Sequence, residues 1–361
     1  MMTRSHKVRA KNLSKNMLIG VVALLSLLWG AAQGASASSL AFDITLEDVV
    51  IRPNVTTNIH LKVFVDELHP CQGKVIFAVH GFAHTAATWG PFAEAIFEEN
   101  PAGQKVCQIV AIDLPGHGGS SLPTGTLLFG DLTLGDYVTV LQNTLERLPG
   151  LGLLPKTLLG HSQGGLLIQM TQQALKSRGT DLHQEFGIKD VVLMAPVPGQ
   201  PISWAFADNA LALLLPFVAF APALGTHISI PDAAWPFVFF SDLFGMVVPG
   251  APTPADVAAL GYNAPEPLLS ALELVGATPF VRPSVDAGLF GPDSQTTLQI
   301  VSYEQDTINP PSENALLYAH LTGDSSGAGF AEVSGAEAVH DLHVSDPSTL
   351  LNQIAGRINL P

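Results

Sequence analysis

The run Gly160-His161-Ser162-Gln163-Gly164 follows an apolar stretch, Thr157-Leu158-Leu159, and leads into a helical one beginning Gly165-Leu166-Leu167-Ile168. A G-x-S-x-G pattern between a strand and a helix is the setting in which a serine becomes a nucleophile rather than a surface hydroxyl. Small flanking residues let the backbone reverse without a clash, and the first N–H groups of the helix point toward Ser162. Such a nucleophile needs a histidine to take its proton, an acid to orient that histidine, and two N–H donors for the oxyanion. The residue after the serine, Gln163, is expected to supply one of those donors.

The elements that must hold these groups are legible around them. Strands are predicted over residues 75–79, 108–112, 157–160, 191–194 and 298–302, and helices near 89–99, 134–148, 164–175, 313–321 and 347–358. Apolar positions alternate at Phe42, Ile44 and Leu46 and again at Ile59, Leu61, Val63 and Val65, which predicts two strands about a turn at Asn54. Alternation of strands and helices implies an α/β fold, a mostly parallel sheet covered by helices on both faces.

Residues 199–294 break this rhythm. The stretch between Pro196 and Thr296 has no strand pattern, yet it holds nine of the chain's 18 phenylalanines together with Trp204 and Trp235. No Lys or Arg occurs from position 190 to position 281. An aromatic segment without bases suits a helical cap over an apolar cavity, inserted after the sixth strand. Pro216, Pro222, Pro231 and Pro236 interrupt its long apolar runs, so no membrane-spanning helix is expected there. The α/β core is then residues 38–198 and 295–361.

Residues 1–37 read as a secretory signal peptide. Arg4, Lys7, Arg9, Lys11 and Lys15 precede an apolar run over 17–29 and an Ala35-Ser36-Ala37 cleavage site. That run is short of the roughly 20 residues a spanning helix needs, so a secreted or periplasmic protein is expected. The full chain carries a net charge of −15, and removal of five basic leader residues leaves −20. Such a surface excludes nucleic acid and anionic membrane as partners. Cys71 and Cys107 each stand by a predicted strand; if those strands are parallel neighbours, the two thiols are expected to form a disulfide in an oxidising compartment.

Further motifs fall in order along the chain. They are His80-Gly81-Phe82, then Asp113-Leu114-Pro115-Gly116-His117-Gly118, the Ser162 turn, Glu304-Gln305-Asp306-Thr307-Ile308-Asn309-Pro310, and His340-Asp341-Leu342-His343-Val344-Ser345-Asp346-Pro347. Together they resemble the α/β-hydrolase superfamily, in particular its lid-bearing serine hydrolases such as lipases, esterases and cofactor-free haloperoxidases. The resemblance spans residues 40–361. It implies that His340, in a loop before a last helix opened by Pro347, is the base, with His343 the alternative; Val339 stands where the family often has glycine. It places the acid at Asp306, with Glu304 as rival, although Ser302 and Tyr303 replace the glycine usual there. It also points to Phe82 N–H as the oxyanion donor that accompanies Gln163. Asp190, Asp341 and Asp346 read as structural, Trp89 as core, and His84 as a residue that packs, faces solvent or lines the pocket.

The chemistry so implied is hydrolysis of a small apolar carboxylic ester through an acyl-enzyme on Ser162. Serine at this position, rather than aspartate, disfavours epoxide hydrolase and haloalkane dehalogenase reactions. Peptidase, lactonase, carbon–carbon hydrolase and perhydrolase or haloperoxidase-like activities use the same triad and stay open, as does a non-catalytic binding protein. Residues 113–118 lack the lysine of a P-loop and no dinucleotide fingerprint occurs, so no cofactor is expected. His340 and His343 have the i, i+3 spacing of metal ligands, but no third ligand cluster accompanies them, and no metal site is expected.

Overall fold

The computed structural model of the protein describes residues 39–66, 74–98, 106–125, 127–202, 227–242, 245–276 and 281–354. The expected leader over 1–37 lies outside the described residues, as does Cys71.

Among the described residues the strands are β1 (Ser39–Arg52), β2 (Val55–Asp66), β3 (Lys74–Val79), β4 (Val106–Ile112), β5 (Pro155–His161), β6 (Asp190–Met194), β7 (His227–Ile228), β8 (Glu266–Pro267), β9 (Thr297–Tyr303) and β10 (Phe330–Val333). Eight of them form one sheet in the order β1-β2-β4-β3-β5-β6-β9-β10. β1 and β2 pair antiparallel about Asn54, whose φ of 63° lies in the left-handed region that asparagine tolerates. β2 runs antiparallel to β4, and every pairing from β4 to β10 is parallel. The carboxyl ends of β3, β5 and β9 therefore lie along one edge, and the loops that follow them carry the predicted site residues.

Parallel strands need crossovers, and helices supply them. They are α1 (Gly90–Glu98), α2 (Leu134–Arg147), α3 (Gln163–Lys176), α4 (Leu182–Phe186), α5 (Trp235–Phe239), α6 (Pro254–Leu260), α7 (Leu268–Val275), α8 (Pro311–Thr322), α9 (Leu342–Ser345) and α10 (Pro347–Ile354). The central strands β3, β4, β5, β6 and β9 bury both faces, so their alternate residues enter different cores. Along β3, Val75, Phe77 and Val79 join one apolar cluster with Leu141 of α2 and Leu166 of α3. Ile76 and Ala78 join the other, with Phe92 of α1 and Leu350 of α10. Thr133 and Asp136 start α2 with a capping box, each accepting the other's backbone N–H.

The predicted strands all form, each one to three residues longer at its ends. β10 was not anticipated: four residues, with Glu332 among them, are too short for a clear period. Cys107, just ahead of the strand predicted over 108–112, lies fully buried inside β4 because that strand begins at Val106. β3 and β4 are parallel neighbours, as the expected pairing with Cys71 requires. The insertion between β6 and β9 is not purely helical, because β7 and β8 pair antiparallel within it. No helix among the described residues is long and apolar enough to cross a membrane.

Candidate active site

Ser162 sits between β5 and α3 at φ 50° and ψ −117°, a conformation that strands and helices do not use. Its N–H donates to Met194 O at 3.0 Å, and its own carbonyl accepts from Gly165, Leu166 and Val197 N–H at 3.0, 3.3 and 3.1 Å. The glycines around it are required by space. A Cβ on Gly164 would lie 2.4 Å from Val79 O and 2.6 Å from His80 O, and one on Gly160 would meet Ile168 Cδ1 at 2.7 Å. A Cβ on Gly81 would lie 2.9 Å from His161 Nδ1 and 3.1 Å from Ser162 Cβ, so the loop after β3 runs directly against the turn.

Asp306 and His340 meet across that edge. The Asp306 carboxylate, 1% exposed, accepts Ile308 and Asn309 N–H on Oδ1, both at 2.8 Å, and faces His340 Nδ1 with Oδ2 at 2.9 Å. A carboxylate can only accept, so Nδ1 carries the hydrogen and Nε2 holds the lone pair. Nε2 is buried and has no hydrogen-bond partner among the described residues. Burial opposes the imidazolium of His340, but the charge and hydrogen bond of Asp306 outweigh it and raise the pKa above the ordinary 6.5. No hydrogen bond joins His340 to Ser162 in this structure; His161, the residue before Ser162, links the two loops through Nε2 to His340 O at 3.0 Å.

The alternative residues lie in different surroundings. Glu304 is exposed and accepts Gly335 N–H, away from the imidazole. His343 is buried with its ring 4.3 Å from that of His161, and neither nitrogen is hydrogen-bonded among the described residues. Burial and neighbouring histidines hold its pKa well below the usual value. Phe82 lies on the loop that Gly81 brings to Ser162, and Gln163 opens α3, where the first N–H groups have no helical acceptor.

Several residues at the site were not anticipated. Asp341 is a fully buried carboxylate, not a loop ornament: Oδ2 is 2.7 Å from His84 Nε2 and Oδ1 is 3.2 Å from His161 Nε2. Burial pushes its pKa up, yet the two imidazoles hold it below the ordinary value. His84 also donates through Nδ1 to Phe82 O. Their sequence signal was adjacency alone, since His84, His161 and Asp341 each stand within two residues of a predicted site position. The ligand atoms of these three lie within 4.8 Å of one another, close enough to hold a metal ion. Asp341 Oδ2 is bonded to His84 Nε2 and His161 Nε2 to His340 O, whereas Asp341 Oδ1 and His161 Nδ1 are buried without a hydrogen-bond partner among the described residues. A second buried carboxylate, Glu266, accepts Ala83 N–H at 3.2 Å.

His80 shows the opposite state. Its Nδ1 donates to Gly81 O at 2.8 Å and its Nε2 accepts Leu114 N–H at 3.2 Å, as only a neutral ring can. Burial, then the neighbouring His117, lower its pKa to about 3. Asp113 is occupied by Ala86 N–H, Gly119 N–H and His60, which makes the 113–118 turn a brace for the first loop.

The alpha/beta hydrolase family matches residues 75–353. The chain is an α/β hydrolase. Over 103 residues it is 32% identical to protein phosphatase methylesterase 1 of Mus musculus, a match spanning 28% of this chain and only 24% of that relative. The carboxylesterase CesB of Bacillus subtilis superposes with a TM-score of 0.54 at 15% identity, covering 94% of this hydrolase and 96% of its own chain. A thioesterase domain from the curacin biosynthetic pathway gives 0.52 at 16% identity, covering 88% and 99%. At such identities the structural likeness is one of fold.

The glycine contacts give a direct stability test. Gly164→Ala is expected to destabilise the hydrolase by about 1–3 kcal/mol in urea unfolding, because backbone rather than a side-chain tip blocks the methyl group. Gly150→Ala, where nothing lies within 4 Å, is the control and should be neutral. Equal midpoints for the two variants would show that the turn is not held by this contact.

Proposed function

We propose that this hydrolase is an exported carboxylic ester hydrolase acting on apolar esters, with Ser162 as nucleophile, His340 as base and Asp306 as its orienting acid. The observation that carries the reading is the Asp306–His340 bond, which leaves a lone pair on a buried imidazole nitrogen, in a loop tied through His161 to the strained turn of Ser162. Ser162 Oγ attacks the ester carbonyl as its proton passes to His340 Nε2. Phe82 and Gln163 N–H groups stabilise the oxyanion, His340 then protonates the departing alkoxide, and water repeats the sequence to release the acid. Residues 199–294 act as a cap that supplies an apolar wall: Trp235 and Phe239 are buried, and the Phe239 ring stacks on His340 at 6.3 Å. The ester chemistry in the names of the partial relative and of the fold neighbours supports the same class.

Three outcomes test this reading. A fluorophosphonate probe should label the wild type once, and Ser162→Ala should lose both labelling and p-nitrophenyl ester hydrolysis across acyl chain lengths. Hydrolysis that survives in Ser162→Ala would sink the assignment. The acid limb of kcat/KM should inflect above pH 6.5, since the raised pKa of His340 means that falling pH protonates Nε2 and removes the base. Asp306→Asn should lower kcat by about 10³–10⁴-fold; a flat profile down to pH 5 would exclude His340 as base. Export would be shown by mature protein beginning at Ser38 in the periplasm or medium of an expressing host, and refuted by an intact chain in the cytoplasm.

A further inference from the structure

Glu266 comes from β8, deep in the inserted segment, and is 0% exposed. Five donors converge on its carboxylate. Oε2 accepts Ala83 N–H at 3.2 Å and His117 Nε2–H at 3.1 Å; Oε1 accepts Gln163 Nε2–H at 3.1 Å, Ser270 Oγ–H at 2.8 Å and, at 3.4 Å, Tyr137 O–H. These partners come from the loop after β3, the 113–118 turn, α2, α3 and α7, and without Glu266 their polar groups would be left buried together.

Two of the five flank the oxyanion hole. Ala83 N–H and Phe82 O form one peptide unit, next to the unit that carries Phe82 N–H, and Gln163 bears the other proposed donor on its own backbone. The Phe82–Ala83 peptide is clamped at both ends: its N–H is held by Glu266, and its carbonyl by His84, which is in turn held by Asp341. Ala83 sits at φ 56°, a left-handed conformation that an alanine does not keep without such restraint.

The charge at this point follows from proton counting. His117 Nδ1 faces Pro115 O at 3.2 Å and Nε2 faces Glu266, so both nitrogens meet acceptors and the fully bonded state is an imidazolium beside a carboxylate. Burial opposes both charges, yet their attraction leaves the His117 pKa raised and that of Glu266 lowered.

We propose that Glu266 is a positioning residue of the oxyanion hole, through which the inserted segment sets the orientation of the Phe82 and Gln163 N–H donors. The proposal rests on the ester-hydrolase reading and adds a residue that touches neither substrate nor the triad. It assigns the insertion a part in the chemical step as well as in walling the pocket.

The test uses the full chain with Glu266→Gln, which keeps the side chain's size and removes its charge, and the double variant Glu266→Gln with His117→Gln, which removes both charges. In Glu266→Gln, kcat on a p-nitrophenyl ester should fall about 10–100-fold with KM changed less than about threefold, and affinity for a trifluoromethyl ketone, whose oxyanion occupies the hole, should weaken by a similar factor. The double variant should regain Tm while kcat stays low. Recovery of kcat together with Tm, or a folded Glu266→Gln variant with wild-type kcat and ketone affinity, would overturn the proposal. Amide exchange across residues 80–84 reads the clamp independently of turnover: it should quicken about tenfold or more in both variants, and unchanged exchange also overturns the proposal. A wild type inert toward both esters and the fluorophosphonate would instead defeat the ester-hydrolase reading, with the exchange measurement still deciding the role of Glu266.

Discussion

Ser162 occupies a backbone conformation that costs on the order of 1–3 kcal/mol for a residue other than glycine, and much of the architecture exists to hold it there. The turn is fixed by one hydrogen bond from β6 through Met194 O and by three that converge on the serine carbonyl. Because β5 lies between β3 and β6, both neighbours press on the same point. Glycine at 164 leaves room for the backbone of Val79 and His80, and glycine at 165 for Pro196, where α3 leaves the strand. A serine presented this way is held in place before any ligand arrives, so the proposed reaction needs no ordering of its attacking group.

Around the turn, loops distant in sequence are tied by acid–imidazole pairs rather than by apolar contact alone. Asp306–His340, Asp341–His84 and Glu266–His117 join the loops after β9, β3 and β4 to the C-terminal loop and to the insertion. A buried charge left without its partner costs several kcal/mol, and misplaced loops would create such orphans. The pairs therefore favour a single arrangement of the loops. Apolar packing, which is non-directional, would tolerate many.

The sheet was largely legible in the sequence because its central strands are continuous β-branched runs between turn residues, and the Ser162 turn carries its own local signature. His340 and Asp306, singled out through the order of motifs, are hydrogen-bonded to each other. What separates Asp306 from Glu304 is burial and two backbone N–H bonds from Ile308 and Asn309, and neither can be read from a loop two residues long. Glu266 left no trace, since an acid between two prolines looks like a surface turn until the chain folds back across a separation of 183 positions to place Ala83 against it. The same holds for Asp341: the aspartate was visible, but the two histidines that make its burial tolerable come from the loop after β3 and the end of β5.

Ser162 is 4% exposed and His340 2%, with Phe239 laid over the imidazole. In the proposed reaction a substrate meets Ser162 only in the fraction of molecules whose covering side chains have moved aside, and its apparent affinity is reduced by that fraction. The packing that keeps water from a finished site thus sets a time filter on the approach to it. A bulky apolar molecule that lingers at the surface has more openings to exploit than a polar one that leaves at once, so discrimination begins in residence time, before any contact with the serine.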